Sequence, residues 1–182
     1  MLRTDLSKYS NDWYQTGGSL LKRSVWYCLN ACFLASAFPF SGFKLGLLRL
    51  FGAKIGKGVV VKPFVYIKYP WNLKVGDHVW IGERVWIDNL ALVQIGSNSC
   101  LSQEAYIFCG NHNYKKSGFD LMTNPVTLED GVWIGAKAIV CPGVVCHSHA
   151  VLATGSVASR NLEAYSVYQG NPAVRVKERK LE

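Results

Sequence analysis

Residues 128–158 read LEDGVWIGAKAIVCPGVVCHSHAVLATGSVA. Within them Leu128, Ile134, Val140, Cys146, Leu152 and Ala158 stand six positions apart. The same spacing runs back toward the N-terminus through Ile95, Leu101 and Ile107, then Val75, Ile81 and Ile87, then Ile55, Val61 and Ile67. Between these groups two breaks are eight residues long and the third, from Ile107 to Leu128, is 21. A second column lies four residues after the first. It holds Val59, Val65, Val79, Val85, Ala91, Ser99, Ala105, Val132, Ala138, Val144, Ala150 and Ser156, every one Val, Ala or Ser.

A period of six fits neither the 3.6-residue turn of a helix nor the two-residue alternation of a flat sheet. It fits a short strand, a turn and another short strand, with one large and one small side chain per repeat directed inward. Three hexads make one coil of about 18 residues, so residues 55–159 make about five coils stacked by hydrogen bonds into one continuous apolar core. Gly56, Gly76, Gly82, Gly96 and Gly135 follow the large position directly. Glycine there suits a bend where a side chain would crowd the backbone or φ must turn positive.

The chain has 182 residues, 49% of them hydrophobic and 18% charged, enough to bury a core. Its formal net charge of +8 is unevenly placed: residues 1–54 carry seven Lys/Arg against two Asp/Glu, whereas residues 55–159 carry eight against seven. No basic stripe runs through the repeat, which argues against nucleic acid as a partner. Six cysteines include no C-x-x-C pair, and no N-x-S/T acceptor occurs, so the thiols read as reduced and the location as cytoplasmic. Residues 24–43 carry no charge, but Ser24, Asn30, Ser36, Pro39, Ser41 and Gly42 interrupt them. The reading is a buried or membrane-surface helix, peripheral to the inner membrane, with the basic flanks suited to an anionic surface.

Three segments, LFGAKIGKGVVV (50–61), VWIGAKAIVCPGVV (132–145) and YSVYQGNPA (165–173), resemble the hexapeptide-repeat acyltransferases. The resemblance is strongest to exopolysaccharide acetyltransferases of the colanic-acid type and extends to galactoside and maltose acetyltransferases. It implies a mainly β fold, a left-handed parallel β-helix, whose handedness the period alone does not supply. The expected organisation is a helical, basic and apolar N-terminal cap over residues 1–54, the β-helix over 55–159 with a protruding loop at 109–124, and a closing loop and short C-terminal helix over 160–182. The resemblance also implies a homotrimer with active sites between neighbouring prisms.

The 21-residue gap is one hexad plus about 15 residues, and long loops on a stiff scaffold are usually functional. It opens with Gly110, Asn111, His112, Asn113 and Tyr114. An imidazole titrates near neutrality and can serve as a general base. In relatives the catalytic His stands at the start of this loop, and His112 takes the matching place, with Asn111 and Tyr114 beside it as candidate acceptor contacts. The resemblance implies direct transfer from acetyl-CoA to a sugar hydroxyl in exopolysaccharide or surface-polysaccharide biosynthesis. An Asn of relatives that positions the acceptor aligns ambiguously here with Glu83, Asp88 or Asn89. Glu104 and Asp120 are the carboxylates available to orient the imidazole. For the cofactor, the resemblance points to Ala136 and Thr154 along pantetheine, and to Ser159, Arg160, Arg175 and Lys177 as polar and cationic partners of the phosphates.

Several other chemistries find no support. His147 and His149 lie two apart beside Cys146, too few for a metal site, and none is expected. No His has another five residues on, as a carbonic-anhydrase prism would need. Walker A, G-x-G-x-x-G, G-x-S-x-G and H-E-x-x-H motifs do not occur. Two alternatives stay open at this level: transfer to another small acceptor such as an antibiotic, serine or an amino sugar, and a non-catalytic prism that binds a partner.

Overall fold

The structure, a computed structural model, describes residues 3–182. Short parallel strands stack into three faces of a triangular prism. Face A holds Lys54–Ile55, Leu73–Val75, Val93–Ile95, Val126–Leu128 and Val145–Cys146. Face B holds Val60–Val61, Trp80–Ile81, Cys100–Leu101, Trp133–Ile134, Val151–Leu152 and Ser166–Gly170. Face C holds Tyr66–Ile67, Trp86–Asp88, Tyr106–Phe108, Ile139–Val140 and Val157–Ala158. Both columns of the repeat fill the interior: Ile67, Ile87, Ile107 and Leu152 of the large column, and Val65, Val85, Ala105 and Ala138 of the small one, are wholly buried. Each large aliphatic contributes about 1.5–3 kcal/mol by leaving water.

The register follows the sequence phase. Val75 pairs with Ile95, Ile95 with Leu128, and Leu128 with Cys146, so residues of one column lie directly above one another. The turn economy of each corner is divided between two positions. The glycine after the large residue does not adopt positive φ; it is there because the next coil is close. A Cβ on Gly135 would lie 2.6 Å from the Thr154 amide nitrogen and 2.8 Å from the Leu152 carbonyl oxygen. Positive φ falls two residues later, and there the chain tolerates His78, Arg84, Asn98, Glu104, Lys137 and His149.

Above the five complete coils, Leu162 bridges to Cys146 and Ser166–Gly170 joins face B, a partial further coil that brings the total to about six. The expected C-terminal helix is absent. Ala173–Glu178 is instead a strand, antiparallel to Ser166–Gly170. Val174 and Val176 are β-branched and favour extended backbone, and a bulge opposite Val167–Tyr168 shifts the register so that Arg175 and Lys177 fall on opposite sides. The open edge of face B also offers unpaired backbone groups that an antiparallel strand covers.

The N-terminal segment closes the other end. Helix α1 (Leu20–Leu29) continues into a π-helical turn, Asn30–Leu34, and helix α2 (Ser41–Leu50) follows. Polar groups of this segment satisfy the exposed edge of the first coil. The Ser41 hydroxyl accepts from Val61 N–H at 2.9 Å, the Ser36 carbonyl accepts from Phe64 N–H at 2.9 Å, and Trp26 Nε1 donates to the Ile67 carbonyl at 2.9 Å. The Lys44 ammonium, buried under α2, donates to the Lys62 carbonyl at 2.9 Å. Among the described residues, no helix is long and apolar enough to cross a membrane; the uncharged stretch is broken by the π turn and the link between the helices.

Candidate active site

The corner between faces C and A carries the polar groups of interest. From bottom to top it holds Lys68 and Tyr69, then Asp88 and Asn89, then the 109–124 excursion, and at the top Ser159 and Arg160. The excursion is a β-hairpin arm. Gly110–His112 pairs antiparallel with Leu121–Thr123, and the Asn124 N–H donates to the Cys109 carbonyl at 2.9 Å where the arm rejoins the prism.

His112 ends the outgoing strand of the arm and is half-buried. Its Nδ1 lies 3.0 Å from the carbonyl oxygen of Phe119. A carbonyl oxygen only accepts, so Nδ1 carries the hydrogen and Nε2 of the neutral ring keeps its lone pair. The Phe119 ring stacks on the imidazole, centroids 4.5 Å apart and planes 8° from parallel, and Tyr9 of the N-terminal segment lies 6.0 Å away on a tilt. The backbone and an aromatic face therefore hold the ring. Neither candidate carboxylate does so. Glu104 faces Lys137 at 3.7 Å on the corner between faces B and C, and Asp120 accepts from Ser10 N–H at 3.4 Å and Lys116 Nζ at 3.2 Å.

The neighbours of His112 in sequence have separate tasks. The Asn111 side-chain oxygen accepts from the His112 N–H at 2.8 Å and shapes the strand end. Tyr114 is 77% exposed at the tip of the arm. Of the three acceptor candidates, Asp88 alone is placed to act beside the arm. Its carboxylate pairs with Lys68 Nζ at 2.9 Å, and a Cβ on Gly110 would stand 3.5 Å from Asp88 Oδ2. Asn89 is corrected to a scaffold residue: it is fully buried, and its amide accepts from Tyr69 N–H at 2.9 Å and donates to the Tyr69 carbonyl at 2.6 Å. Glu83 is corrected in place, since it lies on the corner between faces B and C, one prism edge away from His112.

A second feature lies on face B. A crevice of about 590 Å³ is lined by Trp133, Val151, Thr154, Val167, Lys177 and Arg179. Thr154 is exposed at its rim, and Ala136 sits one coil below, its carbonyl accepting from Gly155 N–H at 2.8 Å. Aromatic, apolar and cationic walls suit a ligand with a heterocycle, an apolar arm and phosphates. Arg175 turns to the opposite side of its strand, where Nε donates to the Ser166 hydroxyl at 2.9 Å and faces Glu163 at 3.7 Å. Ser159 and Arg160 are exposed on the His112 corner, away from the crevice. Sequence reasoning missed Phe119, Tyr9, Lys68 and Arg179. Only the basic character of Lys68 and Arg179 was a signal; Phe119 meets His112 through a carbonyl, which every residue has, and through a ring whose partner is set by the turn of the arm.

Among the described residues no three His, Cys, Asp or Glu side chains cluster as a metal site. His147 bonds to Glu129 through Nδ1 at 3.0 Å, and His149 stacks on Tyr165 at 4.7 Å. Hydrogen bonds from Ser148, then His147, hold the Glu129 carboxyl below its usual range. Burial pushes the Cys109 thiol up to about 11 and Cys146 up to about 12, which suits core packing and not nucleophilic work.

No family model matches the chain. It is 36% identical over 176 residues to the colanic acid biosynthesis acetyltransferase WcaF of Escherichia coli, with 96% of this chain and 97% of that one covered. To the galactoside O-acetyltransferase of Escherichia coli it is 25% identical over 136 residues, covering 72% and 66%. Among solved structures it superposes on a hexapeptide-repeat-containing acetyltransferase of Vibrio cholerae in complex with acetyl coenzyme A. The TM-score is 0.80 at 22% identity, with 90% and 92% covered. A galactoside acetyltransferase in complex with coenzyme A gives a TM-score of 0.79 at 22% identity, covering 88% and 82%.

Proposed function

The chain belongs to the hexapeptide-repeat acetyltransferases, and from that premise we propose that it transfers the acetyl group of acetyl-CoA to a hydroxyl of a sugar used in surface-polysaccharide assembly. The observation that carries the reading is the Nδ1–H bond from His112 to the Phe119 carbonyl, which leaves Nε2 as a base. The acceptor hydroxyl gives its proton to Nε2 as its oxygen forms a bond to the thioester carbonyl carbon. The tetrahedral oxyanion collapses, the C–S bond breaks, and the departing CoA sulfur takes the proton from the imidazolium. No covalent bond to the protein forms. Backbone N–H groups at a coil edge would stabilise the oxyanion, each worth about 3 kcal/mol in such sites.

The relatives' names support the acceptor class: one serves colanic acid biosynthesis and another acetylates galactosides. Acetyl-CoA as donor is supported by the fit of the face B crevice and by the ligand of the Vibrio cholerae structure. Thr154, Lys177 and Arg179 would hold CoA within the crevice, Asp88 would bind an acceptor hydroxyl, and Ser159 and Arg160 would meet the cofactor from across a subunit boundary.

That last role requires a homotrimer, in which His112 of one protomer faces the crevice of the next. Exposed apolar rings on the faces, Trp80 at 61% and Trp133 at 45%, support it. The N-terminal segment, with Leu21 at 74% and Leu50 at 77% exposed and a net basic charge, would rest on an anionic membrane surface. The test is CoA-thiol release from acetyl-CoA across nucleotide-linked sugars, lipid-linked sugars and free oligosaccharides, with wild type and His112→Ala. Turnover that survives in the variant removes the mechanism. A mass other than three protomers by sedimentation removes the shared site.

A further inference from the structure

Below the arm, between α1 and face C, lies a cavity of about 360 Å³ walled by Leu20, Trp26, Tyr27, Tyr66 and Tyr69. Two cations reach it, Arg23 from α1 and Lys68 from the first coil. Arg23 is unusual. Its Nε is sealed from solvent and has no hydrogen-bond partner, and the guanidinium makes no ion pair with any described carboxylate. Nε itself is closed off, so what the cavity offers an acceptor from outside the chain is the outer edge of the guanidinium, which lines it and makes no ion pair.

The charges around this cavity favour an anion. Lys68 spends one of its three donors on Asp88 at 2.9 Å, and no carboxylate lines the cavity itself among the described residues. Asp12 lines a shallower groove on the far side of Arg23, with Tyr14 and Thr16, and is engaged by the Ser10 hydroxyl at 3.0 Å. Arg23 thus stands between the two hollows, and its fork and Lys68 leave donors free within apolar walls that strengthen their field.

The position ties this cavity to the chemistry. Lys68, Asp88 and the base of the His112 arm occupy successive rungs of one corner. Adjacent rungs stand about 4.8 Å apart, so Lys68 and the base of the arm are roughly 10 Å apart along the corner. That is the reach of one sugar ring with its anomeric phosphate.

We propose that the cavity is the anionic subsite of the acceptor, taking the phosphates of a diphosphate-linked sugar on Arg23 and Lys68 while a ring hydroxyl meets His112. This rests on the acetyl-transfer reading above and narrows it to sugars carried on a diphosphate, whose further end is a nucleoside or a lipid.

The experiment measures binding, so it does not depend on turnover. Inorganic pyrophosphate, UDP and farnesyl diphosphate are titrated calorimetrically into the full chain with CoA saturating, so that the face B crevice is filled. Pyrophosphate binds wild type, at least about tenfold more weakly to Arg23→Gln, and within about threefold to Arg23→Lys, which keeps the charge. Lys22→Gln, an equal loss of charge on the same helix, stays within about twofold. A further gain from UDP identifies a nucleotide-linked acceptor, and one from farnesyl diphosphate a lipid-linked acceptor. Equal pyrophosphate affinity in wild type and Arg23→Gln overturns the proposal, as does binding of pyrophosphate with neither UDP nor farnesyl diphosphate bound. CoA release on diphosphate-linked sugars that is unchanged in Arg23→Gln would sink the subsite and leave acetyl transfer standing, whereas neutral glycosides should be turned over equally by both proteins.

Discussion

Replacing His112 by Ala, Phe119 by Ala and Asp120 by Asn separates a base held by main chain from one held by a carboxylate. Loss of the imidazole removes general-base catalysis, a factor of about 10²–10⁴ in kcat/KM. That corresponds to about 3–5 kcal/mol at about 1.4 kcal/mol per tenfold. Phe119→Ala keeps the carbonyl that lies 3.0 Å from Nδ1 and removes only the ring stacked at 4.5 Å. An aromatic pair contributes about 0.5–1.5 kcal/mol, so kcat should fall roughly 2- to 12-fold with KM for acetyl-CoA unchanged. Asp120 touches Ser10 and Lys116 and not the imidazole, so Asp120→Asn should stay within about twofold. A carboxylate that oriented the ring would instead cost about 10⁴ on the same change. Initial rates of CoA-thiol release, taken against pH, read all three. A His112→Ala enzyme within threefold of wild type, or an Asp120→Asn enzyme as damaged as His112→Ala, refutes the reasoning.

Gly135→Ala places a methyl 2.6 Å from backbone of the next coil and should cost about 1–3 kcal/mol. That lowers Tm by about 2–12 °C. Gly46→Ala on α2, with nothing within 4 Å of the new methyl, should raise stability by about 0.5–1 kcal/mol; thermal melts with equal shifts would contradict the stacking. Burial holds the Lys44 ammonium below the ordinary lysine value of 10.5, so the unfolded chain binds that proton more readily. Its contribution to stability therefore rises with pH between the lowered value and 10.5, and melts of Lys44→Met should show a shallower rise than wild type over that window. Alkylation followed by mass spectrometry should label exposed Cys28 and Cys32 first and leave Cys109 and Cys146 unmodified until the chain unfolds, because burial keeps the last two protonated.

Much of this molecule is legible in one dimension. A side chain at every sixth position has one geometric solution in which all of them meet, so Ile95, Leu128 and Cys146 announce their vertical stack before any coordinates exist. The excess length between Ile107 and Leu128 likewise announces an arm, and the one imidazole within it draws attention at once. The C-terminal segment misled for a local reason. Its basic residues suit a solvated helix as well as a strand, and its pairing partner, Ser166–Gly170, matters only because the prism ends there with a free edge. Asn89 misled because its neighbour in sequence, Asp88, shares its polarity, whereas the corner turns one side chain inward to the Tyr69 backbone and the other outward to Lys68.

The repeat determined, without help, which residues are buried and in what order the coils rise, because burial in a stack depends on spacing along the chain alone. How the imidazole is held, which carboxylate lies at the base of its arm, and that Arg23 Nε finds no hydrogen-bond partner among the described residues were settled when the chain closed on itself. Those contacts join residues 20 or more positions apart, or run through backbone carbonyls that carry no residue identity, and neither kind leaves a mark in the order of amino acids.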